Sequence, residues 1–299
     1  MRILTNPGSN LGDELSHTLD VDLTPQKIVV DGISHDTRNA LDLSTVDKWV
    51  KTASRHPSVQ GTTEAEFVDH YTRLVAKDPD VLTVMTSRQI IGSHDAAVAA
   101  VQKLKASADP KLAAARIEVV DTTVTDVGAG LVTLAAVQWR SAGLPLDVVA
   151  AGCRAFVQAG RSVITVATLD NLIKGGRASF LQGWVGNFLN VRPLLSFEAG
   201  KPVSVGRVSA SGDMAKRVDE WLADRVDSKQ RVWVGIAHGD VEPLAKQALA
   251  LLKERYTVEF AMVRPLSPSI YLHVGRGSMA VFVHRLEKLP HPLTPPKVA

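Results

Sequence analysis

Cysteine is nearly absent from this chain of 299 residues, because Cys153 is the only one it contains. A single cysteine excludes a disulfide framework and any cysteine-rich zinc site, and it is typical of proteins in the reducing cytosol. The N-terminus has no basic and then apolar leader, and no apolar run approaches the roughly 20 residues that span a membrane. We therefore expect a cytoplasmic protein without stable membrane insertion.

The best-known motifs of catalytic and cofactor-binding proteins are missing as well. There is no phosphate-binding P-loop, no His-Glu-x-x-His zinc helix and no Gly-x-Ser-x-Gly elbow. The segment 275–280, Gly-Arg-Gly-Ser-Met-Ala, resembles a dinucleotide fingerprint, but only about 20 residues follow it, too few for a βαβ unit. His and Asp residues show no spacing that indicates a hydrolytic triad. We expect no catalytic residue, no cofactor and no metal ion.

The composition is that of a globular protein, with 45% apolar and 22% charged residues. The length suggests about two domains. The net charge of +3 is unevenly distributed, since residues 1–160 carry 15 Lys and Arg against 19 Asp and Glu, whereas residues 161–299 carry 19 against 12. The basic second half is typical either of a surface for an anionic partner or of an ordinary solvated surface.

The first half alternates strand-like and helix-like segments. Predicted strands lie at 2–5, 27–30, 81–85 and 117–120, and predicted helices begin at a capping box at 63–66 and cover 94–105, 127–140 and 146–158. This alternation predicts an N-terminal α/β domain, residues 1–160, with a doubly wound and mainly parallel sheet. Ligands of such sheets bind beyond the carboxyl ends of the strands.

The second half predicts a C-terminal α+β domain, residues 161–288, with a mixed sheet. Predicted strands lie at 162–167, 194–197, 201–208, 231–237, 258–263, 269–273 and 279–284, and predicted helices at 213–225 and 242–253. The segment 289–299 contains four prolines, and we expect it to be a loose terminus.

Two places in the second half favour anion binding. The segment 168–179 combines two glycines with Lys174 and Arg177, and Arg192 and Arg207 follow, which indicates a basic surface for phosphate or an acidic protein. His273 stands at the end of a predicted strand. There we expect its ring to donate a hydrogen bond to an anion, together with the backbone amides of Gly275 and Gly277. The alternative for His273 is a structural histidine bonded to the backbone.

The chain resembles the DegV family of bacterial fatty-acid-binding proteins over about residues 1–285. The resemblance is carried by segments 169–177 (Leu-Asp-Asn-Leu-Ile-Lys-Gly-Gly-Arg) and 189–195 (Leu-Asn-Val-Arg-Pro-Leu-Leu). Supporting blocks are 86–87, 92–93, 119–122, 128–131 and 273–277. The resemblance implies a two-domain α/β protein that holds a long-chain fatty acid in a buried interdomain tunnel and presents its carboxylate to a separate fatty acid kinase subunit.

The resemblance also implies roles for individual residues. Arg177 and Arg207 are expected to face the kinase, and no nucleic acid partner is implied. The family's carboxylate loop aligns to Val59 and Gln60 where Thr and Ser are usual, and Ile91 stands at an expected ligand serine. The expected ligand-binding residues are therefore His273, Ser93, Gln60, Thr62, Gly92 and Gly275. The alternative is a protein of the same fold that binds another amphiphile or acts as an interaction protein.

Overall fold

The computed structural model describes residues 1–38, 41–167, 169–176, 178, 191–209, 213–287 and 289–296. The strands are β1 (Arg2–Thr5), β2 (Val21–Leu23), β3 (Lys27–Val30), β4 (Ile33–Asp36), β5 (Ser58–Gln60), β6 (Asp80–Met85), β7 (Arg116–Asp121), β8 (Gly160–Thr165), β9 (Val191–Glu198), β10 (Lys201–Ser209), β11 (Arg231–His238), β12 (Thr257–Pro265) and β13 (Met279–Arg285). The helices are α1 (Gly12–Thr18), α2 (Leu43–Thr52), α3 (Glu64–Val75), α4 (Ser93–Lys105), α5 (Pro110–Ala113), α6 (Val127–Ser141), α7 (Leu146–Ala159), α8 (Asp170–Lys174), α9 (Met214–Ala223), α10 (Glu242–Arg255) and α11 (Pro268–Val274).

The first sheet is parallel throughout, in the order β2-β1-β6-β7, which confirms the predicted N-terminal α/β arrangement. Its central strand β6 is buried on both faces from Val81 to Met85, as expected where helices cover both sides of a parallel sheet. Helices α3 and α4 pack on one face. The predicted capping box starts α3, since the Thr63 side chain accepts from the Glu66 amide and the Glu66 carboxylate accepts from the Thr63 amide.

The second sheet is mixed, in the order β10-β9-β8-β13-β11-β12, as predicted for the second half of the chain. Only the pair β11–β12 is parallel among its described pairings. A turn at Ala199 and Gly200 joins β9 to β10, and both residues have positive φ. Helices α9 and α10 cover the outer face of this sheet.

Helices α6 and α7 form a layer between the two sheets. One hydrophobic core contains Val84 of the first sheet, Leu131 and Phe156 of these helices, and Trp233 and Phe282 of the second sheet. The fit is close at Gly128, where a Cβ would lie 2.4 Å from the Phe282 ring. Within the part of the chain that the structure describes, no helix has the length and apolar character needed to cross a membrane.

The structure corrects the predicted strand at 269–273, because these residues lie within helix α11. Pro268 stands at the first turn of this helix, where its missing amide hydrogen costs nothing. His273 therefore lies in the last turn of a helix rather than at the end of a strand. Strand β3 is not part of the parallel sheet. It pairs antiparallel with β4 and β5 in a separate three-stranded sheet.

The prediction of a loose terminus is wrong for residues 289–296. Leu293 is buried, and Thr294 exchanges two hydrogen bonds with the side chain of Gln138 on α6: the Thr294 amide donates at 3.0 Å, and Gln138 Nε2 donates at 2.5 Å to the Thr294 carbonyl. The segment contains no helix or strand, as its prolines predict, yet it is packed against the middle layer. The domain boundaries at 160 and 288 stay predictions.

Candidate functional site

The main cavity lies between the inner face of the second sheet, helix α11 and two loops of the first half. It has a volume of about 490 Å³, within the usual range of small-molecule sites. The loops are those that follow β6 and β7, so the cavity is at the carboxyl edge of the parallel sheet, where the fold predicts a ligand. Its described lining is Gln89, Ile90, Thr125, Asp126, Ile164, Leu172, Gly176, Leu195, Phe197, Lys201, Pro202, Val203, Leu266, Ile270, His273, Val274, Ser278, Met279, Ala280 and Phe282.

Most of that lining is aliphatic or aromatic, so the main cavity favours an apolar ligand. Polar groups are confined to a few positions, among them Thr125, Asp126 and His273. A small recess adjoins the cavity and shares Ile90, Thr125, Ile270 and His273 with it. The remaining described residues that line the recess are Gly8, Gln26, Val59, Thr86, Ile91 and Ser269.

The recess contains two side chains with donors to offer. Asn6 donates to the Thr86 hydroxyl at 2.9 Å and to Gln26 Oε1 at 3.3 Å, and the Gly8 amide also donates to Gln26 Oε1 at 3.3 Å. Because Thr86 accepts in this network, its own proton is available to an acceptor. Because Gln26 accepts through its oxygen, its NH₂ group remains a donor. Both side chains are buried, so an anion placed here would meet these donors in a low-dielectric environment.

His273 is held where α11 meets α8. A Cβ on Gly175 would lie 2.8 Å from His273 Nδ1, closer than real side chains pack, so this position of the Gly-Gly pair must lack a side chain. Gly275 follows α11 at φ +74, and its amide donates to the Tyr271 carbonyl at 2.7 Å. A Cβ there would lie 2.8 Å from Asn171 Nδ2 of α8. The glycines of both motifs thus let the two short helices approach closely.

Asp126 connects the ends of three strands beside the cavity. Its carboxylate accepts from Asn10 Nδ2 at 2.6 Å, from the Val127 amide at 2.9 Å, and from the amide and hydroxyl of Ser267 at 2.9 and 2.8 Å. Burial raises the pKa of Asp126, and the hydrogen bonds from Ser267 and Asn10 offset part of that rise. Since Asn10 follows β1, Asp126 follows β7 and Ser267 follows β12, this carboxylate ties the two sheets together.

Of the six expected ligand residues, His273 alone lines the main cavity or the recess. Gln60 is exposed and lines a different surface cavity with Lys27 and Glu66, because side chains alternate along β5 and Val59 takes the inward position. Thr62 and Ser93 are buried but bonded to each other, the Thr62 amide donating to Ser93 Oγ at 3.1 Å.

The Thr62 hydroxyl is also engaged, since it donates to the Pro25 carbonyl at 2.7 Å. Gly92 is the exposed residue before α4, and its carbonyl accepts from the Ala96 amide. Ile91 and Val59, the two apolar replacements, do line the recess. Arg207 is exposed on β10, while Arg177 lies outside the described residues. The structure thus places most of the expected ligand set beside the recess and not in it.

Four polar residues of the recess were not among the expected ligands: Gln26, Thr86, Thr125 and Ser269. Thr86 and Thr125 follow the strands β6 and β7. Because ligands of parallel sheets bind beyond the carboxyl ends of the strands, these positions could have been identified from the sequence. Gln26 precedes β3 and Ser269 lies in α11. Both reach the recess through tertiary packing, for which the sequence offers no local pattern.

The chain is similar to known proteins along nearly its whole length. The model of the DegV family matches residues 1–286. A DegV domain-containing protein of Mycobacterium tuberculosis is 30% identical, covering 94% of this chain and 96% of that protein. A fatty acid-binding protein of Thermotoga maritima is 25% identical over 96% of this chain and 99% of its own. A solved DegV family protein from Thermus thermophilus, described as fatty acid binding, superposes with a TM-score of 0.85 at 24% identity over 96% of this chain and 100% of that one.

Proposed function

Because the chain belongs to the DegV family, we propose that it is a non-catalytic protein that binds one long-chain fatty acid. The acyl chain occupies the main cavity, and the carboxylate lies at the recess beside His273, Thr86 and Gln26. The observation that carries this proposal is a mainly apolar cavity of about 490 Å³ that adjoins a recess lined by Gln26, Thr86 and His273. The fatty acid-binding relative of Thermotoga maritima supports the ligand class.

The energetics favour such a ligand. Burial of each methylene contributes about 0.8 kcal/mol, so a long acyl chain gains a gross free energy above ~10 kcal/mol. An unpaired carboxylate would cost several kcal/mol in the same environment, and it therefore needs donors. Thr86 and Gln26 supply neutral donors at the recess, and His273 adds a ring nitrogen. No metal is needed for this task.

The second candidate is an amphiphile with a different head group. Ile91 and Val59 make part of the recess apolar, which favours a smaller or less charged head group than a carboxylate. The two candidates differ in the head group that the donors of the recess would bind. A fatty acid presents a charged carboxylate with two oxygens, whereas a fatty alcohol, an example of the second candidate, presents one uncharged oxygen.

Native mass spectrometry of the protein after expression tests the proposal. We expect the purified protein to carry a fatty acid, and the delipidated protein to take up palmitate in preference to hexadecanol. Protein that carries no lipid and takes up neither compound would refute lipid binding. A preference for hexadecanol would favour the second candidate.

We further propose that the bound fatty acid is presented to a separate fatty acid kinase, with Arg207 on the docking surface. Charge reversal by Arg207→Glu is expected to raise the protein concentration needed for half-maximal acyl phosphate formation by about 10-fold, since a docking arginine is worth ~1.4 kcal/mol or more. Palmitate affinity is expected to stay unchanged, because Arg207 is exposed on β10 and is not among the lining residues of the cavity.

The matched control for this prediction is Lys253→Glu on α10, which reverses an exposed charge elsewhere in the second half of the chain. Coupled kinase assays with both variants, alongside palmitate titrations, measure the difference. An equal effect of both variants would point to net charge rather than to docking, and a loss of palmitate binding in Arg207→Glu would place that residue at the lipid site.

A further inference from the structure

A second cavity, of about 310 Å³, adjoins the main cavity along the second sheet. On β8, Ser162 lines the second cavity and Ile164 the main one, and on β13 the same is true of His284 and Ala280. Alternate residues of a strand share a face, so both cavities lie on the same face of the sheet. The second cavity has no lining residue in common with the recess, and each of them shares residues with the main cavity. The main cavity therefore lies between the two.

Two aromatic side chains stand at the boundary between the main cavity and the second cavity. Phe197 of β9 and Phe282 of β13 line both of them. Phe282 is fixed, since its ring packs against Gly128 of α6 so closely that a Cβ there would clash with it. Phe197 is half-buried, so it has room to move. A ligand that occupies both cavities passes between these rings, and their apolar faces suit a hydrocarbon chain at that point.

The second cavity occupies a gap between the strands β8 and β9. These strands form residue pairs at Ile164 and Thr165 and then separate toward the start of β8. Ser196 bridges part of the gap, its hydroxyl donating to the Ser162 carbonyl at 2.7 Å. The hydroxyl of Ser162 has no hydrogen-bond partner in the described part of the chain, so it remains a donor for a ligand. Through the gap the cavity reaches Trp221 of α9, on the outer face of the sheet.

Two arginines line the second cavity, and neutral groups hold both of them in place. Arg161 is half-buried, and its Nη1 donates to the Gly160 carbonyl at 2.6 Å and to the Gln158 carbonyl at 3.2 Å. The guanidinium of Arg225 lies 4.0 Å above the Trp221 ring, and its Nη1 donates to the Trp221 carbonyl at 2.9 Å. Each guanidinium has five N–H donors, so both retain donors for a ligand.

The positive charge of this pair is poorly neutralised. Within the described ranges, the hydrogen-bond acceptors of Arg161 are carbonyl oxygens and not carboxylates. Arg225 has the exposed Asp224 at 3.8 Å, and Glu198, the carboxylate on the lining of the cavity, is exposed as well. Burial lowers the pKa of Arg161, and the charges of Arg285 and Arg225 lower it further. An anion bound at the two arginines would offset this repulsion.

We propose that the second cavity binds the far-end carboxylate of a long-chain dicarboxylic acid, with Arg161, Arg225 and Ser162 as its donors. The inference rests on the proposed function, since the first carboxylate lies at the recess and the hydrocarbon chain fills the main cavity. A carboxylate has two oxygens and accepts from both guanidinium groups, whereas the methyl end of an ordinary fatty acid gains nothing from them. A second carboxylate in a wholly apolar cavity would lose its hydration without compensation, and the polar second cavity removes that penalty.

Isothermal titration of the delipidated protein with hexadecanedioate and with palmitate tests this site. We expect the wild type to bind hexadecanedioate at least as tightly as palmitate, and the two ligands to compete. In Arg161→Met, which keeps the aliphatic stem without the guanidinium, the dissociation constant of hexadecanedioate should rise roughly 10-fold, and that of palmitate less than twofold. Arg225→Met should reproduce the selective loss. The matched control is Arg154→Met on α7, which removes an exposed arginine paired with Glu118 and should alter neither constant.

Four results would overturn the inference. Wild-type protein that binds palmitate but not hexadecanedioate would refute the second carboxylate site and leave the proposed function intact, whereas binding of neither ligand would refute both. Unchanged hexadecanedioate affinity in both arginine variants would show that the pair does not bind the far-end carboxylate. Succinate that binds as tightly as hexadecanedioate, or palmitate and hexadecanedioate bound at the same time, would indicate an independent site for small anions instead of the far end of the lipid site.

Discussion

Replacing Asp126 by alanine is expected to lower the free energy of unfolding by about 3–5 kcal/mol. The carboxylate accepts four hydrogen bonds and is buried, so its removal leaves the Val127 amide and the Ser267 amide and hydroxyl without their acceptor, while Asn10 Nδ2 keeps only its bond to the Pro265 carbonyl. Each orphaned buried donor costs about 1–3 kcal/mol, and the costs are not additive because the groups relax together. Chemical denaturation followed by circular dichroism measures the change.

Two further variants show whether the hydrogen bonds or the shape of Asp126 matter. Asp126→Asn keeps the shape but turns an NH₂ group toward Asn10 or Ser267, and we expect it to cost about 2 kcal/mol. Asp121→Ala is the matched control, since Asp121 is the last residue of β7, just before the loop that carries Asp126, and accepts from the Thr123 amide at 2.8 Å. We expect the control to cost no more than about 1 kcal/mol. A loss in Asp126→Ala no larger than in Asp121→Ala would contradict the role of Asp126 as a tie between the sheets.

The position of Asp126 also links stability to ligand binding. Ser267, which donates twice to this carboxylate, immediately precedes helix α11, and α11 carries His273 and Ile270 into the cavity. Without the hydrogen bonds between Ser267 and Asp126, the start of α11 is no longer fixed, and the residues of α11 that line the main cavity can shift. We therefore expect Asp126→Ala to weaken lipid binding as well, even under conditions where the variant is folded.

The sequence predicted the central elements of the fold, because they carry strong local signals. Strand β6 is mainly apolar, with Thr83 the one polar residue between Val81 and Met85, and the Thr63 and Glu66 pair marks the start of α3. Segment 269–273 was misassigned because a short apolar run has the same appearance in a buried strand and in a short helix. Ser267 followed by Pro268 was the available helix-start signal, and it outweighs the apolar run.

The site was less predictable because it depends on the direction in which single side chains point. Strand β5 has three residues, too few for a periodic pattern, so nothing in the sequence states whether Val59 or Gln60 faces inward. The pairing of Ile28 with Val59 in the small antiparallel sheet decides it. Ser93 and Thr62 were expected to bind a ligand, and in the structure the Thr62 amide donates to Ser93 Oγ, a contact that only a folded chain reveals.

Filling the main cavity from β10 is expected to weaken palmitate binding about 50-fold. Val203 is half-buried on this edge strand and lines the cavity. An indole in its place would occupy the space of about three methylenes, and at ~0.8 kcal/mol each their displacement costs roughly 2.4 kcal/mol. Fluorescence or calorimetric titration of Val203→Trp with palmitate measures the loss. Because Val203 is partly exposed, the fold should tolerate the larger side chain.

The neighbouring residue provides the control that separates occupancy of the cavity from damage to the strand. Ser204 is half-buried and is not among the residues that line the cavity, as expected from the alternation of side chains along a strand. Ser204→Trp therefore adds the same indole without entering the lipid site, and its palmitate affinity should match the wild type. In Val203→Trp the loss should shrink as the ligand shortens, because decanoate has fewer methylenes to displace. Equal losses for palmitate and decanoate, or equal losses in the two variants, would refute the placement of the acyl chain in this cavity.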